Sequence, residues 1–248
     1  MGSPLVIVAG QSNCFNYPSG VLPAAYMTLP ARAWKWAVRG GGTALRQRRV
    51  PWTDLRATQT DPDAGDTLAA GPDLVIAKVL IDAGHAPSVI LYARGGTSLV
   101  VEWKATTSEL YQGLVSDVGY ALASSRAPGH TSSWFVWIQG ENDTLALADA
   151  QAYKANFDTF WAALKSDLAA SCPGLRAVVV KLSTAATYCT YLTDIRSQYD
   201  AIGVAHADVT IYDATPCAVG GDVVHYTQAG TITLGTGIAN AMIAAGSL

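Results

Sequence analysis

Apolar runs without polar alternation recur along this chain, each stopped by glycine or a polar residue: LVIVAG at 5–10, SVILYARGG at 88–96, SWFVWIQG at 133–140, RAVVVKLS at 176–183 and the shorter DVTIYDA at 208–214. A strand wet on one face alternates with period two, whereas a strand covered on both faces has no reason to. Between the runs lie segments of helical length, Pro72–Ala83, Thr107–Ser124, Leu145–Ala170, Thr193–Ile202 and Thr227–Ala245. Strand and helix therefore alternate, which predicts an α/β fold: a three-layer α/β/α sandwich on a central, mostly parallel sheet. ARAWKWAV at 31–38 predicts one more strand. Half of the 248 residues are hydrophobic and only 14% charged, enough apolar material for one sizeable core.

One stretch breaks the rhythm. Residues 16–70 hold scattered Arg and Lys, then Asp61, Asp63 and Asp66, with little periodicity beyond the possible strand. This predicts an irregular insertion in a single domain spanning 1–248, facing either solvent or substrate. A net charge of -3 argues against nucleic acid or an anionic membrane as the main partner. No apolar run approaches the ~20 residues of a bilayer span, so the expectation is a soluble chain, secreted, processed or virion-associated rather than membrane-bound. The four cysteines, Cys14, Cys172, Cys189 and Cys217, form no C-x-x-C pair, so no metal site is expected. Cys189 and Cys217 lie in late loops where a disulfide is conceivable, but free core thiols are the simpler reading.

In an open parallel sheet, ligands bind beyond the carboxyl ends of the strands. Four polar clusters fall there: Gln11, Ser12 and Asn13 after the first run, Gly95–Ser98 after the second, Gln139–Asp143 after the third, and Asp222 with His225 ahead of the last helix. Of the four histidines, His85, His130 and His206 precede strands and belong to the opposite edge. His225 alone falls on the serine's side, and Asp222, three residues earlier, can reach its imidazole within one turn. GQSN by itself reads as a polar turn; its convergence with DVVH turns Ser12 into a candidate nucleophile with a base. Backbone N–H groups near Gly95 or Gly96 and an amide from Asn142 or Gln139 are candidate oxyanion donors. H-E-x-x-H, P-loop and dinucleotide-binding patterns are absent, so no cofactor is expected.

GQSN at 10–13, GGTSLVVEW at 95–103, WIQGEND at 137–143 and DVVHYTQAG at 222–230, in that order, resemble the SGNH hydrolase superfamily, and within it the sialate O-acetylesterase-like group that includes the carbohydrate esterase family 6 acetylxylan esterases. The resemblance implies a flavodoxin-like sandwich, metal-free ester hydrolysis by a Ser12, His225, Asp222 triad, and an oxyanion hole from the Ser12 backbone, Gly96 and either Asn142 or Gln139. The expected activity is release of a short acyl group, acetyl first, from a carbohydrate. Gln11, Gly95, Thr97, Glu141 and Trp103 are expected at the substrate, and Trp34, Trp36 and Trp52 are further candidates for stacking on sugar rings. A non-catalytic carbohydrate-binding or phage-tail-type adhesin on the same fold, and an acyltransferase, are the competing readings. Cys14 stands where the group commonly has Met.

Overall fold

The run that opens the chain becomes β1 (Pro4–Gly10), buried along its whole length. Leu5, Ile7 and Ala9 enter one hydrophobic cluster and Val6 and Val8 the other, so both sides of the pleat are covered and polar alternation has no place. The computed structural model describes residues 2–15, 22–26, 28–38, 50–56, 71–246 and 248; for residues 28, 30–38 and 50–56 only the backbone is described. The same two-sided burial holds for β4 (Ser88–Arg94), β5 (Ser132–Ile138) and β6 (Arg176–Lys181), while β7 (Val209–Asp213) closes one edge half-buried.

Together with β2 (Thr28–Val38) and β3 (Val50–Arg56), these form a seven-stranded sheet in the order β3-β2-β4-β1-β5-β6-β7. Every neighbouring pair is parallel except β2 and β3. β2 contains the strand expected at 31–38, and β3 is a second strand within the stretch 16–70 that was expected to be otherwise irregular. The register of β2 against β3 shifts twice, and β3 reads VPWTDLR, with a proline and charges that an edge strand tolerates and a central strand does not. That composition hid β3 in the sequence. The side chains of Trp34, Trp36 and Trp52, and residues 39–49 and 57–70 with their charged groups, lie outside the described residues.

α1 (Pro72–Asp82) and α5 (Gln228–Ala244) cover the face that carries Val6 and Val8. α2 (Glu109–Ala123), α3 (Leu147–Asp167) and α4 (Leu192–Ala205) cover the other. The architecture is thus the predicted three-layer sandwich. Local signals set the helix starts: Pro72 opens α1, the Ser108 hydroxyl accepts the Tyr111 N–H at the start of α2, and Thr227 does the same for Gly230 at the start of α5. Each side-chain cap of this kind stabilises by about 1 kcal/mol. The core under α2 and α3 is aromatic, with Trp137 edge-on to Trp103 at 5.1 Å and tilted on Phe160 at 4.8 Å. All four cysteines are buried and free, as the simpler reading held. Among the described residues no helix is long and apolar enough to cross a membrane.

Candidate active site

β1 must end on glycine. Gly10 has φ +139°, and a Cβ there would stand 2.0 Å from the Ile138 carbonyl oxygen of β5. The chain then turns through a short 3₁₀ segment, Ser12–Cys14, held by the Gln11 N–H on that same carbonyl at 2.9 Å. This presents Ser12 at the carboxyl edge, partly exposed among buried neighbours. From the far end of the chain, the His225 Nε2 comes to 2.7 Å from the Ser12 Oγ, and its Nδ1 lies 2.7 Å from the Asp222 Oδ2. With the ring proton on Nδ1 facing the carboxylate, Nε2 is left to accept the serine proton. The other Asp222 oxygen accepts the backbone N–H groups of Val224 and His225. Burial pushes the Asp222 carboxyl up, but these backbone and ring hydrogen bonds outweigh it and hold the group below its usual range. Its carboxylate is therefore ionised where the imidazole needs a partner.

Asn13 ties the pieces together. Its Nδ2 donates to the Glu141 Oε1 at 2.6 Å and to the Val224 carbonyl at 3.2 Å, and its Oδ1 accepts the Tyr226 N–H at 3.2 Å. The amide thus grips the peptide groups on both sides of His225 from the residue next to Ser12. Glu141 is almost fully buried, and its second oxygen has no hydrogen-bond partner among the described residues. Burial raises its pKa against the opposing pull of Asn13 and of the His225 charge.

A cleft of about 440 Å³ opens over Ser12 and His225, a volume in the range of small-ligand sites. The end of β4 supplies Arg94 and the loop after it Gly95, Gly96 and Thr97, the loop after β5 supplies Glu141 and Asn142, and Tyr188 arrives from the loop after β6. Gly96 has φ +67° and is exposed, so its peptide stands at the cleft without a side chain in the way. Gln11 also lines the cleft. Thr97 does too, but its hydroxyl is already engaged, donating to the Arg94 carbonyl and accepting the Trp103 Nε1–H at 2.8 Å.

Trp103, expected at the substrate, and Gln139, a candidate oxyanion donor, both lie behind the cleft wall. Trp103 is fully buried, edge-on to Trp137, and acts behind the cleft by holding Thr97. Gln139 is also fully buried; its Nε2 donates to the Thr97 carbonyl at 2.9 Å and the Asp143 carboxylate at 2.6 Å, its Oε1 lies 3.0 Å from the Tyr153 hydroxyl, and the Tyr199 hydroxyl donates to its backbone carbonyl at 2.6 Å. With both amide hydrogens committed, Gln139 braces the Gly96–Thr97 loop, while Asn142 faces the cleft. The carboxylate of Asp143 accepts the Leu99 N–H rather than capping α3, and burial raises its pKa to about 6 despite the hydrogen bonds from Gln139 and Leu99. Among the described residues no group of three His, Cys, Asp or Glu side chains is arranged to hold a metal ion. The cleft residues that the sequence reading missed are Phe15, Arg94, Glu102, Tyr188 and Val224. Tyr188 follows the carboxyl end of β6, so the strand-end rule applied to every strand would have found it.

Residues 3–244 match the family described as "SASA: Carbohydrate esterase, sialic acid-specific acetylesterase". The chain belongs to this carbohydrate esterase family. A probable carbohydrate esterase of Arabidopsis thaliana is 26% identical to this esterase over 187 residues, 74% of this chain and 67% of that protein. The solved structure of the Arabidopsis protein matches with a TM-score of 0.77 at 21% identity, over 98% of this chain and 99% of that one. NanS matches with a TM-score of 0.68 at 16% identity, over 98% and 97% of the two chains. A carbohydrate acetylesterase from Xanthomonas citri matches at 0.64 and 15%, over 96% of this esterase and 55% of that chain. At such identities the structural likenesses speak for the fold. Family membership gives the class of activity, carbohydrate ester hydrolysis.

Proposed function

We propose that this carbohydrate esterase removes a short acyl group, acetyl first, from a sugar hydroxyl, with Ser12 as nucleophile, His225 as base then acid, and Asp222 as the carboxylate that orients and stabilises the imidazolium. Ser12 Oγ attacks the ester carbonyl carbon while its proton passes to His225 Nε2. The tetrahedral intermediate collapses as the bond from that carbon to the sugar oxygen breaks, and His225 returns the proton to that oxygen. Water, deprotonated by the same nitrogen, then attacks the acyl-serine, releasing the acid and restoring the hydroxyl. The backbone N–H groups of Ser12 and Gly96 and the Asn142 amide are the donors for the oxyanion, and removal of one such donor costs roughly 3–4 kcal/mol of barrier. Tyr188, exposed at the cleft, offers an aromatic face for a sugar ring.

The observation that carries the reading is the pair of 2.7 Å contacts joining Asp222, His225 and Ser12 at the mouth of a cleft. The test is acetate release from 4-nitrophenyl acetate and from acetylated oligosaccharides. The purified chain is expected to turn over both, and Ser12→Ala to lose roughly a thousandfold or more in kcat. Activity that survives in Ser12→Ala would sink the assignment.

A further inference from the structure

The 3₁₀ turn after β1 sorts its side chains. Residues three apart in such a turn lie on one side, and Ser12 and Phe15, joined by the Phe15 N–H on the Ser12 carbonyl at 3.1 Å, both line the cleft. The two between them face elsewhere: Asn13 bonds Glu141 and the peptide groups flanking His225, and Cys14 packs into the core with its Sγ 3.5 Å from the Ile138 carbonyl. Phe15 is 4% exposed and belongs to the hydrophobic cluster between the sheet and α1 and α5. The turn has little room to retreat, because a Cβ on Gly71, the residue ahead of α1, would stand 2.2 Å from the Cys14 carbonyl oxygen. A fixed aromatic wall therefore stands beside the nucleophile.

We propose that Phe15 closes the acyl subsite and sets the chain length that the esterase accepts, so that acetyl fits and longer acyl groups do not. The inference rests on the Ser12 reading of this cleft and names the residue that makes the activity short-chain. The attacked carbon carries four groups: the Ser12 oxygen, the oxyanion, the sugar oxygen and the acyl chain. The oxyanion faces Gly96 and Asn142. The sugar oxygen must meet His225 Nε2, and the His225 loop brings Val224 to the cleft, with Tyr188 tied to that loop by its N–H on the Val223 carbonyl at 3.2 Å. Tyr188 and Val224 thus belong to the sugar's side. Among the described residues Phe15 is the remaining apolar side chain at the cleft, and a methyl group leaving water gains by meeting an apolar surface. Packed interiors resist overfilling, so each methylene beyond acetyl has to displace the ring or stay outside the subsite.

The test measures kcat/KM on 4-nitrophenyl acetate, propionate and butyrate, which share a leaving group and differ only in the acyl chain. Wild type is expected to prefer acetate to butyrate by about tenfold or more, since one methylene against a hydrophobic wall is worth roughly 10–200-fold. Phe15→Leu should raise the butyrate-to-acetate ratio by about tenfold and Phe15→Ala by more, whereas Phe15→Trp should lower the propionate-to-acetate ratio. Each ratio comes from one preparation, so folded protein lost on truncating a core ring cancels from it. A wild-type ratio near one, or ratios that stay at the wild-type value in Phe15→Leu and Phe15→Trp, would overturn the proposal. Absence of turnover on every ester in wild type would count against the Ser12 mechanism instead. In that event NMR titration with N-acetylglucosamine and N-butanoylglucosamine, whose amides resist hydrolysis, decides the subsite: binding of the acetyl compound alone in wild type and of both in Phe15→Leu supports it, and any other pattern rejects it.

Discussion

Asn13 stands beside the nucleophile, yet its amide is fully occupied with Glu141 and with the two peptide groups that flank His225. It acts on the reaction through the imidazole. A misplacement near 1 Å costs on the order of 100-fold in rate, so Asn13→Ala is expected to lower kcat by roughly 10–100-fold with little change in KM, read by steady-state kinetics on 4-nitrophenyl acetate. A KM effect without a kcat effect would assign Asn13 to the substrate instead. Asp143 makes a second prediction at this scale. Its pKa rises from 3.8 to about 6 on folding, so the native state holds more protons than the unfolded chain across that window. Stability contributed by the protonated form is present below pH 3.8 and is lost as pH rises through about 6. The slope reaches at most about 1.4 kcal/mol per pH unit. Urea melts from pH 4 to 6.5 should show this fall in wild type and not in Asp143→Asn.

The element that carries His225 is a strained turn. Val223 adopts φ +58° between Asp222 and Val224, where a β-branched side chain is disfavoured. Its carbonyl accepts the Tyr188 N–H, its N–H donates to the Gly220 carbonyl, and the conformation lets one Asp222 oxygen collect the N–H groups of Val224 and His225. The turn is held by those bonds and by the Asn13 grip, while the valine side chain is exposed and gains little from packing. Asn tolerates this backbone region far better, so Val223→Asn should stabilise the protein by about 1 kcal/mol, measured as a higher urea midpoint with an unchanged slope. No gain would mean that the turn is not under strain.

Across the molecule, the fold brings Ser12 and His225, more than 200 positions apart, within 2.7 Å of each other while keeping the four cysteine sulfurs buried. Burial raises the thiol pKa of Cys14, Cys172, Cys189 and Cys217, that of Cys189 to about 12. A thiolate is the reactive form, so the native chain should be silent to a thiol reagent and expose four thiols only on unfolding. Rapid labelling of any one cysteine in the native state would contradict that packing. Cys14 sits in the nucleophile's own turn with its Sγ 3.5 Å from the Ile138 carbonyl, so it fills core space beneath Ser12.

Periodicity and strand ends are local properties, and what they encode was legible: β1, β4, β5 and β6 as strands buried from both sides, β7 as a shorter strand, the helices between them, and Ser12, Asp222 and His225 at one edge. β3 was not legible, because an edge strand is under no pressure to be apolar. Nor were the surroundings of the cleft's amides and indole. Gln139 and Asn142 lie three residues apart with the same functional group, and only the neighbours Tyr153, Asp143 and Thr97 show which amide is already bonded. Trp103 differs from an exposed stacking ring only in what surrounds it. Sequence determines which face and which end of an element a side chain occupies; whether its polar atoms are satisfied depends on groups distant along the chain, and that is decided by the tertiary structure.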